Sequence, residues 1–329
     1  MIVVTGGAGF IGYNLVLKLI ELGYDEIVVI DNNHPRYMRR GQNKAWNNKW
    51  TVTYVSTDDS YLWLPFNKYH IDAVFHLGAR TDTMEKDEEI FKRLNLYYSI
   101  FIELLCTEVD IPMIYASSAA TYGDGEDGFD DDEAPCNLKP LNPYGDYKNR
   151  FDWRMLARNS LNPRLTPTHW YGFKFFNVYG NHESHKGKMA SVIWHLYNQI
   201  KETGEVKLFR SHVDWCGDGE QKRDFVYIDD VVNTLIWAYN FRKSMPSGIY
   251  NLGTGQARTY NDLAKAIFKS LGKQENISYI DTPLEIRDSY QYYTCAKINK
   301  LAQQMLWGGF KTLEEGIDLY IKQLENENC

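Results

Sequence analysis

Tyr144 and Lys148 stand four residues apart in "PYGDYK". On a helix this spacing puts both side chains on one face. A phenol with a pKa near about 10 is a poor base at neutral pH. A neighbouring ammonium and an oxidised nicotinamide favour the phenolate and lower that value. The ring then takes or returns a hydroxyl proton while a hydride moves to the cofactor. The pair alone is frequent by chance. It gains specificity from "YASSAATYG" upstream, which ends a strand at Ser118. That hydroxyl can bond the reacting oxygen, or cap the strand end. A second group of interest is "HESHKGKMAS", with Lys186 and Lys188 either side of a glycine. Surface charge, a metal-site neighbour, a phosphate ligand and a catalytic base are all open readings. His182, Glu183 and His185 lack the spacing of a metalloprotease helix or a zinc finger, so no metal is expected.

The glycines of "VVTGGAGFIG" stand at Gly6, Gly9 and Gly12, between an apolar run and a helical pattern. Such a turn lets the backbone approach a pyrophosphate and sets it on the helix N-terminus. Asp31, at the end of the next apolar run, suits a ribose hydroxyl. Alone, Asp31 favours NAD, because a carboxylate repels a 2′-phosphate. Arg36, Arg39, Arg40, Lys44 and Lys49 follow closely and can hold that phosphate, so both dinucleotides stay open at this point.

Strands are predicted at "MIVVTG", "DEIVVIDN", "IDAVFHLGA", "IPMIYASSA" and "YGFKFFNVYG", with helical patterns such as "IFKRLNLYYSIFIELLCTEV" between them. This alternation predicts a doubly wound parallel α/β sheet of Rossmann type. It weakens past Tyr179, which predicts a smaller, mostly C-terminal α/β domain for the substrate. The expected division is residues 1–178 and 222–254 for the dinucleotide and 179–221 and 255–329 for the substrate.

The 329 residues are 44% hydrophobic and 24% charged, enough for a sizeable core. A net charge of −7 without a basic block argues against a nucleic-acid or membrane-surface binder. No apolar run approaches the ~20 residues that span a bilayer. No signal peptide is evident, and five scattered cysteines suggest reduced thiols and a cytoplasmic protein. "GDGEDGFDDDEAP" reads as a solvated acidic loop rather than a calcium site.

"TGGAGFIG", "FHLGA", "SSAATYG", "YGDYK", "RDFVYIDDV" and "NLGTG" together resemble the extended short-chain dehydrogenase/reductase family, over nearly the whole chain. Within it, "FFNVYGNHESHKGKMASVIWHLYNQ", "KLFRSH" and "GDGEQKRDFVY" look like the ADP-L-glycero-D-manno-heptose 6-epimerases. The resemblance implies an isomerase that oxidises carbon six of an ADP-linked heptose with bound NADP. The side chain turns, and the hydride returns to the other face, yielding a precursor of lipopolysaccharide core. It implies that Ser118, Tyr144 and Lys148 are the catalytic triad, with Lys148 also on the nicotinamide ribose. By the same resemblance Phe10, Ile11, Asp31, Asn32, Arg39, Lys49, Asn95 and Val178 contact the cofactor. So does the turn Leu77, Gly78, Ala79, Arg80 and Thr81. Asn177, His195, Phe209, Arg210, Ser211, His212, Arg223 and Tyr290 contact the substrate. The family keeps the strand-end acid and still uses NADP, so NADP is preferred to NAD. A homo-oligomer is implied as well.

Arg223 has a physical case of its own, since a guanidinium fork matches the oxygens of a nucleoside diphosphate; a salt bridge with Asp224 is the plain alternative. Lys186 is assigned as a second acid–base group. Hydride leaves and returns on one side of a fixed nicotinamide, so the ketone must present opposite faces. If only the terminal carbons rotate, its oxygen swings beyond the reach of one tyrosine. Lys188 is then the anion contact. A 4-epimerase of the same family is the nearest rival; a catalytically silent nucleotide-binding protein on this fold is another. A dehydratase is disfavoured, because Ala119, Ala120 and Thr121 follow Ser118 where an acid pair would be needed.

Overall fold

A computed structural model describes residues 1–32, 44–46, 50–83, 85–287, 290–304 and 309–327. Thirteen strands are described. They are β1 (Ile2–Thr5), β2 (Glu26–Asp31), β3 (Lys44–Trp46), β4 (Trp50–Ser56), β5 (Ala73–His76), β6 (Met113–Ser118), β7 (Trp170–Phe175), β8 (Asn177–Tyr179), β9 (Val206–Phe209), β10 (Lys222–Tyr227), β11 (Gly248–Leu252), β12 (Ala257–Thr259) and β13 (Ile277–Ile280). Eight form one sheet in the order β11-β7-β6-β5-β1-β2-β4-β3. Seven of these run parallel; the edge strand β3 is antiparallel to β4. Ile2 to Thr5 register with Ile27 to Ile30 on one side and Ala73 to His76 on the other. All four β1 residues are buried, as continuous apolar strands must be when helices cover both faces.

The chain forms two compact units. The first comprises Met1–Gly123, Asp132–Lys174 and Val232–Tyr250; the second comprises Asp124–Asp131, Phe175–Val231 and Asn251–Cys329. This division gives residues 124–131, 175–178, 222–231 and 251–254 to the second unit, where the sequence boundaries put them with the first. The core of the first unit gathers Val3, Val28, Val74, Ile102, Met113, Phe151 and Trp170. In the second, the helix Val192–Thr203 buries Ile193, Leu196, Tyr197 and Ile200 at helical spacing, capped by Ser191 and ended by left-handed Gly204. The helix Tyr260–Ser270 opens with a Thr259–Asp262 capping box.

Two predicted elements are subdivided. "YGFKFFNVYG" breaks at Phe176 into β7 and β8, which belong to different sheets: β8 pairs with β10, not with the central sheet. The long helical pattern after Asp87 is α-helical at Glu88–Phe91 and Tyr98–Glu108, with a wider π turn at Lys92–Tyr97 between. Apolar periodicity does not distinguish the two windings over so short a stretch.

Candidate active site

Asn142 caps the helix Pro143–Leu161, its side chain accepting from the Gly145 amide at 2.9 Å, and Pro143 sits in the first turn. Tyr144 and Lys148 therefore lie one turn apart on a rigid element. Gly145 permits the docking: a Cβ there would lie 2.5 Å from the Ala120 carbonyl oxygen, in the turn that follows Ser118. The close approach brings the tyrosine to the end of β6, where the Ser118 hydroxyl acts to lower the pKa of its phenol. Ser118 also accepts from the Ala120 amide at 3.1 Å, which is the cap considered for it.

Lys148 is 5% exposed and donates to the Ala116 carbonyl at 2.7 Å. Burial lowers its pKa to about 8, against the opposing pull of Asp152. Burial pushes the Tyr144 phenol above its ordinary value, the Ser118 hydrogen bond pulls it back and Asp152 pushes it further up. The net direction in the chain by itself is up, opposite to the lowering expected of Lys148. Asp152, one turn beyond Lys148, is fully buried and accepts from Tyr115 at 3.0 Å, Ser117 at 2.6 Å and Lys174 at 2.8 Å. Lys174 also donates to Thr121 at 2.6 Å. Neither residue was singled out from the sequence. The signal was a second helical step, Tyr144–Lys148–Asp152.

Gly6 adopts φ 70°, and a Cβ there would meet the Gly78 amide nitrogen at 2.6 Å. The turn after β1 thus touches the turn after β5. Gly9 caps the helix Phe10–Glu21 without a side-chain acceptor. A cradle that a Cβ would fill, ending on that helix N-terminus beside Phe10, Ile11 and Gly12, fits a dinucleotide pyrophosphate. Asp31 ends β2 and takes a 3.0 Å hydrogen bond from Ala8 within the turn; Asn32 follows, exposed. Arg80 directs its guanidinium to Asp82 at 3.2 Å and Glu85 at 3.1 Å. Asn95, buried in the π turn, spends its amide on Arg80, accepting from its N–H at 2.8 Å and donating to its carbonyl at 2.9 Å. It grips the Leu77–Thr81 turn. Arg36, Arg39, Arg40 and Lys49 lie outside the described residues.

In the second unit, Asn177 and Val178 lie on β8, the former exposed. Arg223, on β10, is 7% exposed. Its guanidinium donates to the carbonyls of Lys222 at 2.9 Å and of Gln291, and lies 5.9 Å from the Tyr260 ring and 5.6 Å from the Tyr290 ring. Among the described residues it pairs with no carboxylate, so the salt bridge with Asp224 does not form. Asp224 instead accepts from the amides of Thr254 at 2.7 Å, Gly255 at 2.9 Å and Ala296 at 3.0 Å, organising the "NLGTG" turn. Phe209 packs edge-on to Tyr290 at 6.4 Å. The His212 amide donates to Tyr292 at 3.0 Å, and the Ser211 amide to Asp218 at 2.8 Å. Arg210 is exposed, 3.5 Å from Asp281. The fold thus gathers Phe209, Arg223 and Tyr290 into one aromatic-lined cationic patch. Tyr260 and Tyr292, which complete it, were not foreseen, because single tyrosines among 24 carry no signal.

Lys186 sits, half-buried, in the short turn Ser184–Met189, where Gly187 has φ 55°. Burial lowers its pKa, while the Glu183 carboxylate raises it. Glu183 is fully buried and accepts from the Ser191 amide and hydroxyl, both at 2.6 Å, and from the Gly180 amide at 3.3 Å. It ties the ends of the lysine loop together. Lys188 is exposed, and its carbonyl lies 3.3 Å from His195 Nε2. In the acidic loop, Asp131 accepts from the Asn251 amide at 2.7 Å and Asp130 pairs with Lys297.

A parallel sheet with a glycine cradle after β1, and with Ser118, Tyr144 and Lys148 at the end of β6, is an α/β fold of Rossmann type with a fitting place for a dinucleotide. The sequence model of the NAD dependent epimerase/dehydratase family matches residues 2–253, and the chain belongs to that family. It is 42% identical to the ADP-L-glycero-D-manno-heptose-6-epimerase of Fusobacterium nucleatum, covering 98% of this chain and 97% of that one. It is 41% identical to the protein of that name from Nitratidesulfovibrio vulgaris, with the same coverage. The crystal structure of the Helicobacter pylori ADP-L-glycero-D-manno-heptose-6-epimerase is similar at TM-score 0.77, with 29% identity over 98% of this chain and 96% of that one. A UDP-N-acetylglucosamine 4-epimerase from Methanobrevibacter ruminantium shares the fold at TM-score 0.79 with 23% identity over 99% and 98% of the two chains.

Proposed function

We propose that the protein is an isomerase that inverts carbon six of an ADP-linked heptose, supplying a precursor of lipopolysaccharide core. The observation that carries this reading is the likeness, over 98% of the chain, to heptose epimerases, in a chain whose Ser118, Tyr144 and Lys148 stand together at the end of β6. When bound, the nicotinamide supplies hydride transfer in both directions. Tyr144 carries the proton of the carbon-six hydroxyl, Ser118 orients that oxygen, and Lys148 holds the nicotinamide ribose and favours the phenolate. Lys186 serves the oxygen after rotation of the terminal carbons, as the second acid–base group. Arg223, free of any carboxylate partner among the described residues and flanked by Tyr260 and Tyr290, takes the diphosphate. Phe209 to His212, Asn177, Lys188 and His195 complete the substrate site.

NADP is preferred to NAD, on the basic run after Asp31. The protein works in the cytoplasm as a homo-oligomer; free thiols at Cys106, Cys136, Cys216 and Cys295 support the first, and exposed Trp153 and Leu161 on one helix support the second. No described helix is long and apolar enough to cross a membrane.

The test is incubation with a panel of ADP- and UDP-linked heptoses and hexoses, with product stereochemistry read by NMR. Inversion at carbon six of ADP-heptose is expected. Inversion at carbon four of a UDP-hexose alone would replace this reading with that of a 4-epimerase. The nucleotide released on denaturation, identified by mass spectrometry, decides between NADP and NAD.

A further inference from the structure

Behind the glycine cradle, a buried thread of hydrogen bonds joins β1, β5 and the π turn. The Gly78 amide donates to Thr5 Oγ1 at 3.0 Å, and Thr5 Oγ1 lies 2.7 Å from His76 Nδ1. His76 Nε2 lies 2.8 Å from Ser99 Oγ, which donates to the Asn95 carbonyl at 2.7 Å. Asn95 then holds Arg80 by both ends of its amide. Thr5, His76, Asn95 and Ser99 are each 2% exposed or less.

The direction of every bond follows from counting protons. A hydroxyl has one hydrogen. That of Ser99 is spent on the Asn95 carbonyl, so Ser99 can only accept from His76, and Nε2 carries a proton. In a neutral ring Nδ1 is then bare and accepts from Thr5, whose oxygen still accepts from Gly78. Every group is satisfied. A proton on Nδ1 as well would orphan the Thr5 hydrogen and bury a charge. Desolvation holds the imidazole down to about 3, with the Lys148 ammonium adding to the effect.

We propose that His76, in its Nε2–H form, is a positioning residue for the dinucleotide, holding the Leu77–Thr81 turn against the Gly6 turn. Thr5 fixes the start of that turn and Asn95 its middle, and the ring is the rigid spacer between them. Because Gly6 and Gly78 approach too closely to admit a Cβ, a shift of the second turn displaces the first. The proposal rests on the reading of the first unit as a dinucleotide site.

Two measurements test it. In the uniformly 15N-labelled protein, imidazole nitrogen shifts should show a ring with a protonated Nε2 and a bare Nδ1, unchanged from pH 8 to 5 and absent from His76→Gln. The opposite tautomer, or titration in that range, overturns the proposal. Dinucleotide affinity is then measured by calorimetry on cofactor-stripped protein, with thermal midpoints recorded for each variant. Ser99→Ala and His76→Phe should weaken binding about tenfold or more, the scale of losing one buried hydrogen bond. His76→Gln, which retains a donor near the Nε2 position, should recover most of it. Unchanged affinity in Ser99→Ala, or losses that only track the thermal midpoint with no recovery in His76→Gln, overturn it. If His76→Phe does not fold, Ser99→Ala and the nitrogen shifts still decide. A wild-type protein that binds neither dinucleotide refutes the cofactor reading, and the binding role of His76 with it; a wild-type protein that binds one, with the variants unaffected, refutes the role of His76 alone.

Discussion

At the residue scale, a proton carrier must be close to its substrate and near its working pKa. Tyr144 has the place, beside Ser118, but burial pushes its phenol up. As the proposed proton carrier it needs positive charge brought close, from Lys148 and from the bound cofactor. Tyr144→Phe should keep the fold and the cofactor yet slow epimerisation about 100-fold or more; near-normal turnover would exclude it as the proton carrier. Lys186 is half-buried and its pKa is lowered, as a lysine base requires. Lys186→Met should abolish turnover at saturation while leaving substrate affinity largely unchanged. Lost affinity with surviving turnover would make Lys186 a binding residue only.

Elements hold these residues in place through close backbone contacts. Gly145 lies in the first turn of the Pro143–Leu161 helix and packs against Ala120. Replacing a helical glycine with alanine stabilises a helix by about 1 kcal/mol. Here the new Cβ meets a backbone oxygen that no rotamer change can move, and overpacking costs about 1–3 kcal/mol. The clash should win. Gly145→Ala is expected to shift Tyr144 from Ser118 and to cut turnover more than tenfold, with little loss of dinucleotide affinity. Turnover equal to wild type would show that the helix docks without this contact.

For the whole molecule, buried neutral groups make stability depend on pH. The His76 imidazole is depressed from 6.5 to about 3 in the folded chain. Below about 6.5 the unfolded chain binds a proton there and the folded chain does not. Stability from this group is thus complete above that pH. It is lost as pH falls toward 3, by about 1.4 kcal/mol per unit. Urea midpoints measured from pH 7 to 4.5 should fall more steeply for the wild type than for His76→Gln. Equal slopes would show that His76 does not carry this dependence.

The sequence by itself determined the parallel sheet, the glycine turn and the Ser118, Tyr144 and Lys148 group. Each rests on local spacing: apolar runs bounded by turns, glycines at a strand–helix junction, and a four-residue step on a helix. Only the tertiary structure decided what depends on residues far apart in the chain. Asp152 finds Lys174 across 22 positions, His76 finds Thr5 across 71, and Arg223 meets Gln291 across 68. Arg223 and Asp224 are neighbours in sequence, yet they point to opposite sides of β10, because successive strand residues alternate between faces. A one-dimensional reading pairs their charges; the pleat of the strand gives the arginine to an aromatic patch and the aspartate to a glycine turn.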